Sequence, residues 1–245
     1  MDDAQVEQDL VISRALVEIY SNPDLKDRFA FRGGTALYKL HLPAARYSED
    51  IDLVQTSAET AGEAMSAIRD TLNPWLGEPR YKQTEGRITF RYRFNAEGEP
   101  PVPLNLKVEI NTREHFSVEG FATLPFEVSS RWYSGACEIT TYTLNELVGT
   151  KLRALYQRRK GRDLFDLALA LEHPDIDPSK VLEIFKAYMG HGGHTVSRAQ
   201  FEENLRDKLE DSTFMSDLTP LLAEGDEPDM RAMSELVTDK LLGGL

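Results

Sequence analysis

The sequence predicts an α+β fold: a mixed sheet with flanking helices, followed by a helical C-terminal region. Three observations carry this. Short apolar or alternating runs, each the length of a strand, recur up to residue 111. From Thr143 onward the apolar spacing becomes helical. Gly and Pro clusters separate the runs. At 245 residues, 41% hydrophobic and 28% charged, the chain has the composition of an ordinary globular protein. Two domains are expected: an α+β core over 1–135 and a helical domain over 136–245, with a loose boundary at 130–142.

Residues 5–20 read as a helix with Val6, Leu10, Ser13/Arg14 and Val17 on one face, closed by Asn22-Pro23. Phe29-Ala30-Phe31 is a short strand that runs into Gly33-Gly34-Thr35. A helix through Ala36, Leu37 and Leu40 follows and ends before Pro43. Ile51, Leu53 and Val54 form a second strand, alternating with Asp50 and Asp52. Residues 58–72 read as a helix ending at Asn73-Pro74. Strands are expected over 79–83, 87–95 and 104–111, separated by Glu85-Gly86 and by a Pro/Gly/Glu stretch at 97–103. The helical half is broken at Gly161, at His173–Pro178 and at Gly190–Gly193. No internal repeat is evident.

The chain carries 28 Lys+Arg against 41 Asp+Glu, a formal net charge of −13. Taken whole, that charge disfavours a polyanionic partner. Its distribution reverses the inference. Residues 1–29 carry a net −4 and residues 201–245 a net −8, leaving −1 for residues 30–200. Within that middle, bases gather at Arg80, Lys82, Arg87, Arg91 and Arg93, and again at Lys151, Arg153, Arg158, Arg159, Lys160 and Arg162. Each cluster is either a solvated face or a surface for an anionic ligand. No apolar run reaches the ~18 residues of a membrane span, so no membrane partner is expected. The start, Met1-Asp2-Asp3, is acidic where a secretory signal is basic, and the lone Cys137 suits a reducing, cytoplasmic setting.

Several residues are candidates for chemistry. Gly33-Gly34-Thr35 sits where a strand becomes a helix. It reads as a tight turn, or as a place where backbone and free helix-start N–H groups meet a phosphate. Asp50 and Asp52, two apart on a strand, share a face. They form either the solvent face of that strand or a pair that holds Mg²⁺ (or Mn²⁺) against a triphosphate. In Leu104–Asn111 the strict alternation puts Glu109 on the face of Lys107; it is either part of an exposed strand face or, if an adjacent strand brings it beside the aspartates, a third metal ligand. Lys151 lies within the apolar face of Leu144, Leu147, Val148, Leu152 and Leu155; it either snorkels or points into a cleft. Asp163 is explained as an acid in a helix's first turn, whereas Asp166 lies among Leu164, Phe165, Leu167 and Leu169. Ser48 shares the facing of Asp50 on an extended segment, or serves as a turn hydroxyl. His191-Gly192-Gly193-His194 reads as a linker, and Trp75 and Trp132 as core or boundary aromatics. No Walker-type, His-Glu-x-x-His or Cys-x-x-Cys motif is present.

Phe31-Arg32-Gly33-Gly34-Thr35-Ala36-Leu37 and Arg46-Tyr47-Ser48-Glu49-Asp50-Ile51-Asp52-Leu53 together resemble the signature of the AbiEii/AbiGii nucleotidyltransferase toxins. These belong to type IV toxin–antitoxin systems, MenT-like toxins included, within the DNA polymerase β-like superfamily. Glu7–Leu16 is similar to the family's opening helix. Lys151-Leu152-Arg153-Ala154-Leu155 and Arg162-Asp163-Leu164-Phe165-Asp166-Leu167 resemble its downstream motifs. The resemblance implies a nucleotidyltransferase-like sheet, with the helical region completing the active site. By it, Asp50, Asp52, Lys151 and Asp166 are catalytic. Gly33, Gly34, Thr35, Arg46, Ser48 and Lys151 bind nucleotide.

The reaction so implied is metal-dependent transfer of NMP from an NTP to an acceptor, the 3′ end of tRNA, by a toxin opposed by an antitoxin encoded nearby. RNA contact is then expected along residues 80–93 and 151–162, at Arg158, Arg159 and Arg162 in particular. A phosphate on Ser48, adding about −2 beside the carboxylates, would inactivate such an enzyme. Transfer to a small molecule or a protein stays open as a rival, as does a non-catalytic nucleotide- or RNA-binding module.

Overall fold

The computed structural model describes residues 3–98, 100–222 and 228–245. Met1 and Asp2 of the acidic start, residue 99 of the 97–103 stretch and residues 223–227 of the helical region lie outside the described residues. The chain forms two compact units, Met1–Leu40 with Tyr47–Tyr142, and His41–Arg46 with Thr143–Leu245.

In the first unit the order is α1 (Asp3–Ser21), β1 (Phe29–Arg32), α2 (Gly33–Leu40), β2 (Asp50–Gln55), α3 (Gly62–Leu76), β3 (Arg80–Thr84), β4 (Arg87–Asn95), β5 (Pro103–Asn111), β6 (Phe121–Ser129) and β7 (Ser134–Tyr142). The strands make one seven-stranded mixed sheet in the order β3-β4-β5-β2-β1-β7-β6. β2 pairs antiparallel with β1 and parallel with β5, which places it near the middle. Helix α1 covers the sheet with Ile12, Ala15, Leu16 and Ile19, none of them exposed, at the 3–4-residue spacing of one helical face.

The second unit is helical: α4 (Leu144–Gln157), α5 (Gly161–Ala170), α6 (Pro178–His191), α7 (Arg198–Leu209), α8 (Ser212–Ser216) and α9 (Met230–Lys240), with short 3₁₀ turns at Thr219–Leu221 and Leu242–Gly244. Thr143, Asp177, Ser197, Asp211 and Asp229 cap the N-termini of α4, α6, α7, α8 and α9 through their side-chain oxygens. Gly149 lets α4 lie close to α6, since a Cβ there would stand 2.6 Å from Ile184 Cγ2.

The structure revises the expected organisation in four places. The nominal division at 135/136 falls inside β7, and the units part at 142/143, at the far edge of the expected 130–142 boundary, with His41–Arg46 joining the second unit. Ser13 and Val17 of the expected face of α1 are buried, but Val6 is exposed and Leu10 half-buried, and the buried surface extends instead through Ala4, Gln8, Ile12, Leu16 and Ile19. Helix α3 passes through Pro74 to Leu76, because a proline in the last turn forfeits one backbone bond while Leu72 and Leu76 remain buried. The β6–β7 hairpin has no counterpart among the expected strands. Trp132, expected in core or boundary, is 55% exposed at the turn of that hairpin beneath Arg131.

Candidate active site

Strand alternation buries Ile51 and Leu53 and turns Asp50 and Asp52 to the other face. In the parallel register, Lys107 stands beside Asp50 and Glu109 beside Asp52. Gly33, at φ +83°, makes the turn from β1 into α2, and a Cβ there would lie 2.6 Å from Asp52 Oδ2. Glycine is therefore required twice, by the left-handed backbone and by the carboxylate against it. Gly34 occupies the first turn of α2, and the Thr35 hydroxyl donates to the Asp50 carbonyl at 2.6 Å, fastening helix to strand. Ser48 is half-buried in the irregular segment just before β2.

Three acids on one face call for countercharge. Lys107 Nζ lies 2.8 Å from Asp50 Oδ2 and 3.4 Å from Glu109 Oε2. Arg87 Nε is 3.2 Å from Glu109 Oε1. Burial, then the charge of Asp50, raises the Asp52 carboxyl above the usual carboxylate range, with Arg32 and Lys107 opposing. Burial alone would lower Lys107, but its hydrogen bond to Asp50 and the surrounding acids outweigh this and raise it, so the ammonium stays charged.

Among the described residues no three His, Cys, Asp or Glu side chains are grouped to hold a metal ion. Mg²⁺ requires less, since it is commonly held by one or two carboxylates and completed by substrate phosphates and water. Asp50 and Asp52 fit that pattern. Glu109 has the expected neighbour, Asp52, but its carboxylate is held by Arg87 and Lys107.

The helical unit carries a second charged cluster. Lys151, only 6% exposed, puts its ammonium 3.1 Å from Asp163 Oδ1 and 2.8 Å from Asp166 Oδ2. The lysine neither snorkels nor ends in open space; α5 supplies its partners. Arg46 forks onto Asp166 at 2.6 and 2.7 Å, and Arg158 onto Asp163 at 2.6 and 2.7 Å. Both aspartates are fully buried, where an ionised carboxylate survives only if paired. Burial alone would raise both. Lys151 and Arg46 outweigh it and hold Asp166 far below the usual range, and Lys151 and Arg158 hold Asp163 low. Sequence reasoning passed over Asp163, because its place in the first turn of α5 already explained an acid there. Its spacing from Arg158 and Lys151 was the available signal.

The two basic clusters differ once folded. Arg158 pairs with Asp163, Arg159 with Asp211 at 2.8 Å, Lys160 with Asp217 at 3.0 Å, and Arg162 Nε lies 3.9 Å from Asp217. The three arginines expected to meet RNA thus have their charge met by acids of the same unit. Arg80, Lys82, Arg91 and Arg93 form no ion pair among the described residues, and line an open cleft of about 480 Å³ with Lys107 and Glu109. No helix of the described residues is long and apolar enough to cross a membrane.

Residues 14–235 match the family model described as nucleotidyl transferase AbiEii toxin, type IV toxin–antitoxin system. Among solved structures, the chain is similar to JHP933 from Helicobacter pylori, at 16% identity and a TM-score of 0.64 over 98% of this chain and 91% of that one. It is also similar to MenT4, the nucleotidyltransferase toxin Rv2826c from Mycobacterium tuberculosis H37Rv, at 17% identity and a TM-score of 0.64 over 98% and 84%. At such identities the likeness shows the fold, mixed sheet and flanking helices included. No curated protein matches the sequence significantly. The family match spans most of the chain, both carboxylates of β2 and the Lys151 cluster included: the protein belongs to the AbiEii nucleotidyltransferase toxins of type IV toxin–antitoxin systems, enzymes that use an NTP and are opposed by a cognate antitoxin.

Proposed function

We propose that this toxin transfers the NMP of an NTP to the 3′ end of tRNA in the cytoplasm, with Mg²⁺ (or Mn²⁺) held by Asp50 and Asp52. The observation that carries the reading is the pair of strand-borne carboxylates on one face of β2, with Asp52 set against Gly33. When bound, the ion neutralises triphosphate charge and polarises the phosphoryl oxygens. The chain's own groups do the remaining work. Backbone N–H groups at Gly33–Thr35 receive phosphate oxygens at the start of α2. Lys107 stays protonated and offsets the carboxylates between turnovers. Glu109 is a countercharge for Lys107 and Arg87 first, and a metal ligand only if it leaves them. In the helical unit, Lys151 contacts nucleotide phosphates, with Asp163 and Asp166 holding its ammonium in place. Arg46 holds Asp166 in its nucleotide-positioning role. The antitoxin is the product of an adjacent reading frame.

The test is incubation with each α-phosphate-labelled NTP, Mg²⁺ and total tRNA. Labelled tRNA and an equal amount of pyrophosphate, both lost on chelation, are expected. Label confined to protein or to a product of small mass would overturn the acceptor. Activity undiminished by chelator would overturn the metal.

A further inference from the structure

The strand register joins the carboxylate pair to a cationic track. Reading across β2, β5, β4 and β3, one row is Asp50, Lys107, Arg91, Arg80, and the next is Asp52, Glu109, Thr89, Lys82. Both lie on the same face, because Ile88, Phe90 and Tyr92 fill the core from the other side of β4. Neighbouring strands are about 4.8 Å apart, so Arg80 lies roughly 14 Å from Asp50 along a continuous surface. Arg93 extends the track along β4.

Two features are unexplained by folding. Arg80, Arg91 and Lys107 stand directly opposite one another, an arrangement that weakens a sheet. Yet Arg80, Lys82, Arg91 and Arg93 have no acid within ion-pair distance among the described residues, in a chain of net charge −13. Acids are abundant and are used elsewhere, as Asp211 and Asp217 are for Arg159 and Lys160. The cost is sustained for a ligand that supplies the missing charge.

The geometry points to this face of β3 and β4 as the docking track for the phosphate backbone of the RNA acceptor, with Arg80, Lys82, Arg91 and Arg93 as its contacts. It rests on the RNA-acceptor reading above. Regularly spaced cations suit a regularly repeating anion. The track leads to the carboxylates at which the acceptor hydroxyl must arrive. Tyr81, the exposed aromatic of β3, borders the same cleft, but its ring is engaged by Phe90 and Arg69, so among the described lining residues the cations are the groups left to meet a ligand. Contact is therefore to backbone, and binding is insensitive to sequence and sensitive to salt.

The experiment is fluorescence anisotropy of the full-length protein with a labelled single-stranded RNA of mixed sequence, between about 50 and 200 mM NaCl. Variants are Arg80→Glu/Lys82→Glu, Arg91→Glu, and Lys26→Glu as a distant surface control. Tenfold or greater weakening is expected for the double variant and for Arg91→Glu. In the double variant the log–log salt slope should fall by about 1.4, two contacts' worth for a single strand. Lys26→Glu should bind as wild type. Arg80→Glu places an acid opposite Arg91, so its melting temperature should equal or exceed that of wild type; this excludes misfolding as the cause.

Wild-type binding by the reversed variants would overturn the track and leave tRNA labelling, measured on the same preparations, to stand. Absence of both binding and labelling in the wild type would overturn the acceptor reading, and the track with it. Capture of the purified antitoxin by this face, lost in Arg91→Glu while RNA binding persists, would also overturn it.

Discussion

Replacing Gly33 by Ala tests the tie between backbone and carboxylate. At φ +83° an L-residue costs roughly 1–2 kcal/mol more than glycine. A chain of this size loses about 2–4 °C of Tm per kcal/mol, so the melting temperature should fall by about 2–8 °C. The larger consequence is local. The new Cβ would stand 2.6 Å from Asp52 Oδ2, where ordinary contact begins at 3.4 Å, so the carboxylate must retreat by about 0.8 Å. Displacements of that order in a reacting group cost about 10²-fold in rate. The assay is thermal unfolding together with single-turnover label transfer from an NTP at saturating Mg²⁺. Gly62→Ala is the control, since a Cβ at Gly62 meets nothing within 4 Å and its φ is ordinary. A Gly33→Ala protein with wild-type Tm and rate would refute the claim that this glycine exists for Asp52.

The buried cluster of the helical unit makes its own predictions. Asp166→Asn removes the charge that Arg46 and Lys151 share, and breaking a buried pair costs about 3–5 kcal/mol; urea unfolding should show it, and an unchanged midpoint would contradict it. Because Asp163 and Asp166 titrate lower in the folded state than unfolded, the stability they contribute is complete above about pH 4. It is lost as pH falls through their depressed values, so Tm should drop below pH 4, and less so in Asp163→Asn/Asp166→Asn. Ser48→Glu should abolish label transfer with little change in Tm, by adding negative charge on the approach to Asp50; a fully active variant would remove Ser48 as a switch.

Local features were legible in the chain and non-local ones were not. The Gly33 turn and the shared face of Asp50 and Asp52 follow from turn chemistry and a period of two, and both stand in the structure. Alternation also gave Glu109 its face. It could not give the register that puts Arg87 and Lys107 on its carboxylate, because register is fixed by pairing with β2 and β4. Helical spacing placed Lys151 on an apolar face, but whether such a lysine turns in or out depends on Asp163 and Asp166 from the next helix. The β6–β7 hairpin escaped notice because β6 buries only Phe126 and contains Pro125, leaving little of the alternation that marks a strand. The two basic clusters were indistinguishable as composition; only folding pairs Arg158, Arg159 and Lys160 with acids and leaves Arg80, Lys82, Arg91 and Arg93, though not Arg87, without an ion pair among the described residues.

The role proposed for the Asp50–Asp52 pair is nucleotidyl transfer. Its most direct measurement is single-turnover transfer of an α-phosphate label to tRNA by wild type and Asp52→Asn, with NTP affinity and Tm measured on the same preparations. A loss of at least about 10²-fold in transfer is expected for Asp52→Asn, with the fold retained. Transfer by Asp52→Asn at the wild-type rate would contradict it.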